Sequence, residues 1–204
     1  MKMLKLIRDF QQRLLDWLIR TFAYESLNKR AEAFIQIFER DLKPDSTILD
    51  IGTGPGVYFK PLTDRGHLVR LMDKVPYKSC PYPVTYFDGT TFPFTDKSFD
   101  ASLLITVLHH APDPKGTLLE AKRVTKDIVI VIEDVYDKIP GRLLTIFRDS
   151  VLNLEFFGHP MNFRSYREWK ETFKRLGFTI LREKDFISRL GKLPIRTGLF
   201  ILKP

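Results

Sequence analysis

Residues 47–58, "TILDIGTGPGVY", lead from a short apolar run into three glycines at alternate positions, Gly52, Gly54 and Gly56. A continuous apolar run such as 47–51 suits a parallel strand covered on both faces. Glycine accepts the backbone angles that a sharp turn at the strand's end requires, and it lets a ligand approach the main chain closely. A helix expected from Val57 to about Arg65, stopped by Gly66, offers free N–H groups at its start. In an open α/β sheet, such a junction is where a ligand crevice forms.

Working outward, "LVRLM" (68–72), "VTYF" (84–87), "DASLLIT" (100–106) and "DIVIVIE" (127–133) read as four further strands. Helical spacing over 114–124 turns Leu118, Ala121 and Val124 inward, and a helix over 165–176 stops at Gly177. The last two runs, "FTILREKDF" and "RTGLFILK", alternate as an antiparallel pair at the sheet edge, with "SRLGKLP" between them. Strands separated by helices imply crossover connections. The expected fold is therefore α/β: a doubly wound, mainly parallel, seven-stranded sheet with an antiparallel edge strand.

Residues 1–44 are expected to form an N-terminal helical cap on a single globular unit spanning 45–204. Leu4, Ile7, Leu14, Leu18 and Phe22 recur at helical intervals among Lys2, Lys5, Arg8 and Arg13, and a second helix is expected over 26–40. Such a segment either packs on the sheet or rests as a basic amphipathic helix on an anionic membrane, with Asp9 and Asp16 interrupting its positive side.

The chain has 204 residues, 44% of them apolar, enough for one well-buried core. No apolar run approaches the roughly 18 residues that a membrane span needs. There is no plain apolar block of the signal-peptide kind, and a cytoplasmic setting is expected. Cys80 is the only cysteine, which excludes an internal disulfide and a cysteine-based zinc cluster. No metal site is expected. The net charge of +8 is compatible with a nucleic acid or an anionic surface as partner, though the basic residues are spread along the chain.

The glycine turn restricts the ligand. A dinucleotide fingerprint needs G-x-G-x-x-G, and Val57 stands where its third glycine belongs. A phosphate loop needs a Gly-Lys-Ser/Thr ending, which the chain lacks. Asp50 at the strand's end disfavours a pyrophosphate and favours a ligand carrying positive charge.

With Asp50, "DIGTGPG" resembles motif I, (D/E)-x-G-x-G-x-G, of the class I S-adenosylmethionine-dependent methyltransferases. Asp73 directly follows the second strand, where that family places the acid that holds the ribose hydroxyls. Asp88 and Gly89 match the segment that reads the adenine edge. "FPFTDKSFDASLLITVLHHAPDP" (92–114) resembles the methyltransferase type 11 subgroup, in which the fourth strand leads into Leu-His-His, here Leu108, His109 and His110. "LLEAKRV" (118–124) matches the helix that follows. The resemblance covers roughly residues 46–135. It departs from the pattern where "TKD" replaces a Pro-Gly-Gly turn and where Lys74 follows Asp73.

The resemblance implies a Rossmann-like fold and S-adenosyl-L-methionine as cofactor. Its contacts would come from Asp50, Gly52, Gly54, Gly56, Tyr58, Asp73, Lys74, Asp88, Gly89, Leu104 and Ile105. His109 and His110 are the candidate bases, because imidazole titrates near neutrality, and their adjacency suggests that they point apart. A packing or hydrogen-bonding role for one of them is the alternative. Tyr24, Tyr136 and His159 are candidate substrate contacts, and Glu133 and Asp134 after the fifth strand are further candidates for the chemistry.

The expected activity is methyl transfer to a small-molecule or lipid-like acceptor. Methylation of RNA or of a protein partner stays open, as does a non-catalytic cofactor-binding module. Adenine amino-methylation is disfavoured, because "LITV" stands where Asn/Asp-Pro-Pro-Tyr would be needed. Cys80 lies away from the position of a cytosine-methylating nucleophile.

Overall fold

A computed structural model of the chain describes residues 10–11, 13–136, 141–143, 145–147, 150 and 162–204. Strands β1 (Thr47–Ile51), β2 (Leu68–Asp73), β3 (Val84–Tyr86), β4 (Phe99–Ile105), β5 (Thr125–Asp134), β6 (Thr179–Leu190) and β7 (Leu193–Lys203) form one sheet. Their order is β3-β2-β1-β4-β5-β7-β6. The pairs β1–β2, β1–β4, β2–β3 and β4–β5 are parallel, whereas β7 runs antiparallel to both neighbours. The chain is thus a mainly parallel, Rossmann-like α/β sheet, and its winding reverses beside β1. A crevice opens outside the carboxyl ends of the strands at such a point.

Alternation along the strands divides the core in two. Leu49, Ile51, Leu104, Val129, Val131, Phe200 and Leu202 face helices α3 (Pro114–Val124) and α4 (Tyr166–Arg175), where Leu118, Ala121, Trp169 and Phe173 cover them. Ile48, Leu103, Ile105, Ile130, Ile132, Leu199 and Ile201 face α1 (Tyr24–Phe38) and the short α2 (Phe59–Thr63). Residues two apart in a strand share a face, so every strand buried on both sides must be apolar throughout.

Local chemistry fixes the helix ends. Asp113 accepts from the N–H groups of Lys115 and Gly116 with Pro114 at the first helical position, and Ser165 forms a capping box with Glu168. The helix after the glycine turn is shorter than its pattern indicates, since Gly56 at φ +74° holds the chain in turns up to Tyr58. The terminal hairpin is longer. "SRLGKLP" is mostly strand, closed by a two-residue turn at Gly191, φ +59°.

Residues 10–11 and 13–18 are helical and lead through a π-helical turn, Ile19–Ala23, into α1. The inward side of this segment is Leu15 and Asp16, while Leu14 and Phe22 are exposed. Leu4 and Ile7 lie outside the described residues.

Arg30 on α1 donates from Nη2 to Asp134 Oδ1 at 3.1 Å and lies over the Phe34 ring. Both charged side chains of this pair are nearly buried, at 11% and 8% exposure. Removing one partner leaves a poorly solvated charge behind. Arg30→Ala is expected to cost about 3 kcal/mol in urea unfolding, whereas Lys29→Ala, which breaks an exposed pair with Glu25, leaves the midpoint unchanged.

Candidate active site

At the carboxyl end of β1, Gly52, Gly54 and Gly56 all adopt positive φ, but their surroundings differ. A Cβ on Gly52 would stand 2.7 Å from Val107 Cγ2, and one on Gly56 would stand 2.7 Å from Cys80 Sγ. A Cβ on Gly54 would meet nothing within 4 Å. Two glycines therefore admit neighbouring side chains, and the middle one borders open space in the crevice.

Two carboxylates face this turn. Asp50 is buried and accepts from Thr53 Oγ1 at 2.7 Å. Asp73 Oδ2 accepts from Gly54 N–H at 2.8 Å, and its Oδ1 from Val75 N–H at 2.9 Å. Asp73 thus ties the turn to the end of β2, and each oxygen keeps a lone pair for a further donor. Burial pushes Asp50 up to about 7, against the Thr53 hydrogen bond and with help from the Asp73 charge. Burial also raises Asp73, opposed by the backbone N–H groups of Val75, Gly54 and Lys74. Two carboxylates crowded into a poorly solvated turn suit a cationic ligand and repel a phosphate.

Around them, Tyr58 is buried, and burial raises its phenol. Asp88 is exposed and folded into its own turn, accepting from Thr90 N–H, Thr90 Oγ1 and Thr91 N–H. The aliphatic stem of Lys74 crosses to Gly89, where a Cβ would meet its Cδ at 2.9 Å, so Lys74 and Gly89 form one wall. The side chains of Leu104 and Ile105 belong to the two cores, one on each face of the sheet.

On the other side, Glu133 at the end of β5 is fully buried. Its Oε1 accepts from Val107 N–H at 2.9 Å and Leu108 N–H at 2.7 Å, and its Oε2 lies 2.6 Å from His109 Nδ1. His109 is buried against the Phe163 ring, with centroids 4.5 Å apart. His110 is half-buried, and its ring centroid is 4.1 Å from that of His109, so the two rings lie side by side instead of pointing apart.

Asn162 donates from its backbone N–H to the His109 carbonyl and from its side chain to the Ala111 carbonyl. Tyr136 donates to Glu168 Oε2 at 2.9 Å. Tyr136, Arg142, Asn162, Phe163 and Arg164 line a hollow of about 500 Å³ together with Glu168, Glu171, Thr172 and Arg175 of α4. Tyr24 is half-buried in front of Tyr82 and Cys80. His159 lies outside the described residues.

The sequence did not single out Arg30, Thr53, Val107 or Asn162, and it offered Glu133 as a candidate after the fifth strand without its partners. The glycine spacing signals a turn but not its neighbours. An acid at the end of a buried strand was the available signal for Glu133.

A family model described as a methyltransferase domain matches residues 49–132, from β1 through β5. The chain belongs to the class I S-adenosylmethionine-dependent methyltransferases, type 11. S-adenosylmethionine is accordingly its cofactor, and the methyltransferase turn fits that molecule: Gly54 opens onto free space beside two buried carboxylates.

An uncharacterised protein of Methanocaldococcus jannaschii is 32% identical over 167 residues, covering 76% of this chain and 77% of that one. "Probable tRNA methyltransferase 9B" of Homo sapiens is 29% identical over 112 residues, 52% of this chain and 24% of its own length. Demethylmenaquinone methyltransferase of Corynebacterium efficiens is 31% identical over 123 residues, 58% of this chain and 48% of its own length. The chain thus spans a quarter to a half of these two named relatives. Among solved structures, the Haloferax volcanii protein complexed with the Trm112 methyltransferase activator superposes with a TM-score of 0.64. At 16% identity, over 90% of this chain and 97% of that one, that likeness concerns the fold.

The Asp50 carboxyl titrates higher in the folded protein than its ordinary 3.8. Its contribution to stability is full below that value and is lost as pH rises through about 7. The unliganded protein is therefore expected to lose thermal stability across that range, and Asp50→Asn to abolish the loss. A cationic ligand favours the ionised form. Calorimetry should find cofactor affinity rising with pH up to about 7, by at most ~10-fold per unit, and weak and flat in Asp50→Asn.

Proposed function

We propose that this methyltransferase acts on a small or lipid-like acceptor held at the carboxyl ends of β4 and β5. The observation that carries this reading is the hollow of about 500 Å³ past β5, where Tyr136, Asn162 and Phe163 meet a polar wall that includes Arg142, Arg164 and Glu168, with His109 stacked on Phe163. Hollows of this size hold small molecules. The likeness to a demethylmenaquinone methyltransferase supports an acceptor with an apolar tail.

When bound, S-adenosylmethionine supplies an electrophilic methyl group on a sulfonium centre. Asp50 would balance the cationic end of that ligand, and Asp73 would accept from its ribose hydroxyls. Asp88 and the wall that Gly89 forms with Lys74 would frame the adenine. Methyl transfer needs alignment above all. Glu133 provides it on the acceptor side by holding Val107, Leu108 and His109 in one rigid loop. His109, buried and clamped, is a positioning residue. His110, half-buried at the rim, takes the acceptor's proton where the acceptor arrives protonated.

A second reading, methylation of RNA, is favoured by the net charge of +8 and by the likeness to a protein named as a tRNA methyltransferase. Labelled-methyl transfer to a demethylated quinol and to unmodified tRNA separates the two. Incorporation into the quinol is expected, and incorporation into tRNA alone would overturn the first reading. His110→Ala is expected to lower kcat by about 100-fold or more while leaving cofactor affinity intact. An unchanged kcat would remove His110 from the chemistry.

A further inference from the structure

Three elements that share no sequence present apolar side chains to solvent at the crevice end of the sheet. Phe10, Trp17, Phe22, Leu143, Phe147 and Ile187 are each more than half exposed.

In the N-terminal helix, Phe10, Leu14, Trp17 and Thr21 fall on one line, spaced by four, three and four residues. The exposed Arg13 and Arg20, seven residues apart, run beside that line. The opposite side docks on the protein: Leu15 is buried, and Asp16 accepts from the Ser79 N–H at 2.7 Å. Asp16 is therefore turned inward, and the outward side keeps its arginines without that acid. Ser79 precedes Cys80, whose sulfur lies against Gly56, so the helix sits beside the glycine turn.

The second element, described over residues 141–143 and 145–147, carries Leu143 and Phe147 and begins with Gly141 against Tyr136, just past β5. The third is the β6–β7 hairpin. β5 ends at Asp134 opposite Thr197, and the pairs from Ile187–Arg196 to Leu190–Leu193 continue beyond it, on the order of 10 Å. Arg189 and Lys192 are exposed at that tip.

Apolar groups on separate protrusions, interleaved with arginine and lysine, match an anionic lipid surface. They do not match the core of a protein interface, which is depleted of charge. We propose that the crevice end of this methyltransferase docks on an anionic membrane through the N-terminal helix, the described residues around Leu143 and Phe147, and the hairpin tip. The acceptor then reaches the site from the bilayer. That route rests on the lipid-like acceptor proposed above, whereas the docking itself is tested without turnover.

Co-sedimentation of the full chain with phosphatidylcholine vesicles, with and without phosphatidylglycerol, reads the docking directly. Retention is expected on the anionic vesicles and is expected to weaken with added salt. Trp17 and the fully buried Trp169 are the only tryptophans, so a blue shift on vesicle addition reports Trp17 entering the lipid. Replacing Phe10→Asp and Trp17→Asp together should lower retention on the order of tenfold or more with cofactor affinity unchanged. Phe147→Asp with Ile187→Asp should lower it independently.

No retention on either vesicle, or equal retention of both double variants, overturns the proposal. So does light scattering that finds a dimer burying Trp17, since a second copy would then be the occupant. Vesicle binding together with methylation of tRNA alone supports the docking and overturns the acceptor reading, which keeps the two failures apart.

Discussion

Glu133 gathers three partners from one loop: the N–H groups of Val107 and Leu108, and the ring of His109. All of this happens at the buried end of β5, where an unpaired carboxylate would be costly. The consequences reach both sides of the crevice. Val107, held there, fills the space that the missing side chain of Gly52 leaves, so the cofactor turn and the loop after β4 have complementary shapes. His109, held there, gives Phe163 a surface to stack on and offers its carbonyl to Asn162. One side chain thereby sets the spacing between the glycine turn after β1 and the segment that carries Asn162 and Phe163.

The charge of the molecule is divided in space. The chain as a whole is basic, yet the crevice turn concentrates Asp50 and Asp73 with little water around them. Burial raises both carboxyls, so each resists ionisation there, and a neighbouring cation favours the charged form. The neutral Asp50 carboxyl suits the buried fold, and the ionised one suits a cationic neighbour.

At the crevice end, Phe10, Trp17, Phe22, Leu143, Phe147 and Ile187 leave apolar side chains exposed. A parallel sheet brings all its strand ends to one side, so loops, the long hairpin and the N-terminal helix converge around the opening. An acceptor poorly soluble in water would meet the protein there, and the buried side of the N-terminal helix keeps that segment next to the glycine turn through Asp16 and Ser79.

Much of the fold was legible because its cause is local. Alternation, the caps at Asp113 and Ser165, and the glycines at Gly66 and Gly177 each act within a few residues. The hairpin was underestimated because its tip is paired but solvent-exposed, and so lacks the apolar alternation that marks buried strands. Within the site, the sequence by itself determined that a turn with positive φ follows β1, that an acid precedes it, and that acids and histidines stand at the ends of the following strands. Only the tertiary structure decided that Glu133 clamps His109, that His110 stays nearer the rim, that Gly54 alone of the three glycines borders open space, and that Asp16 turns inward. Those outcomes depend on which side chains from distant segments share a volume, and no local spacing encodes that.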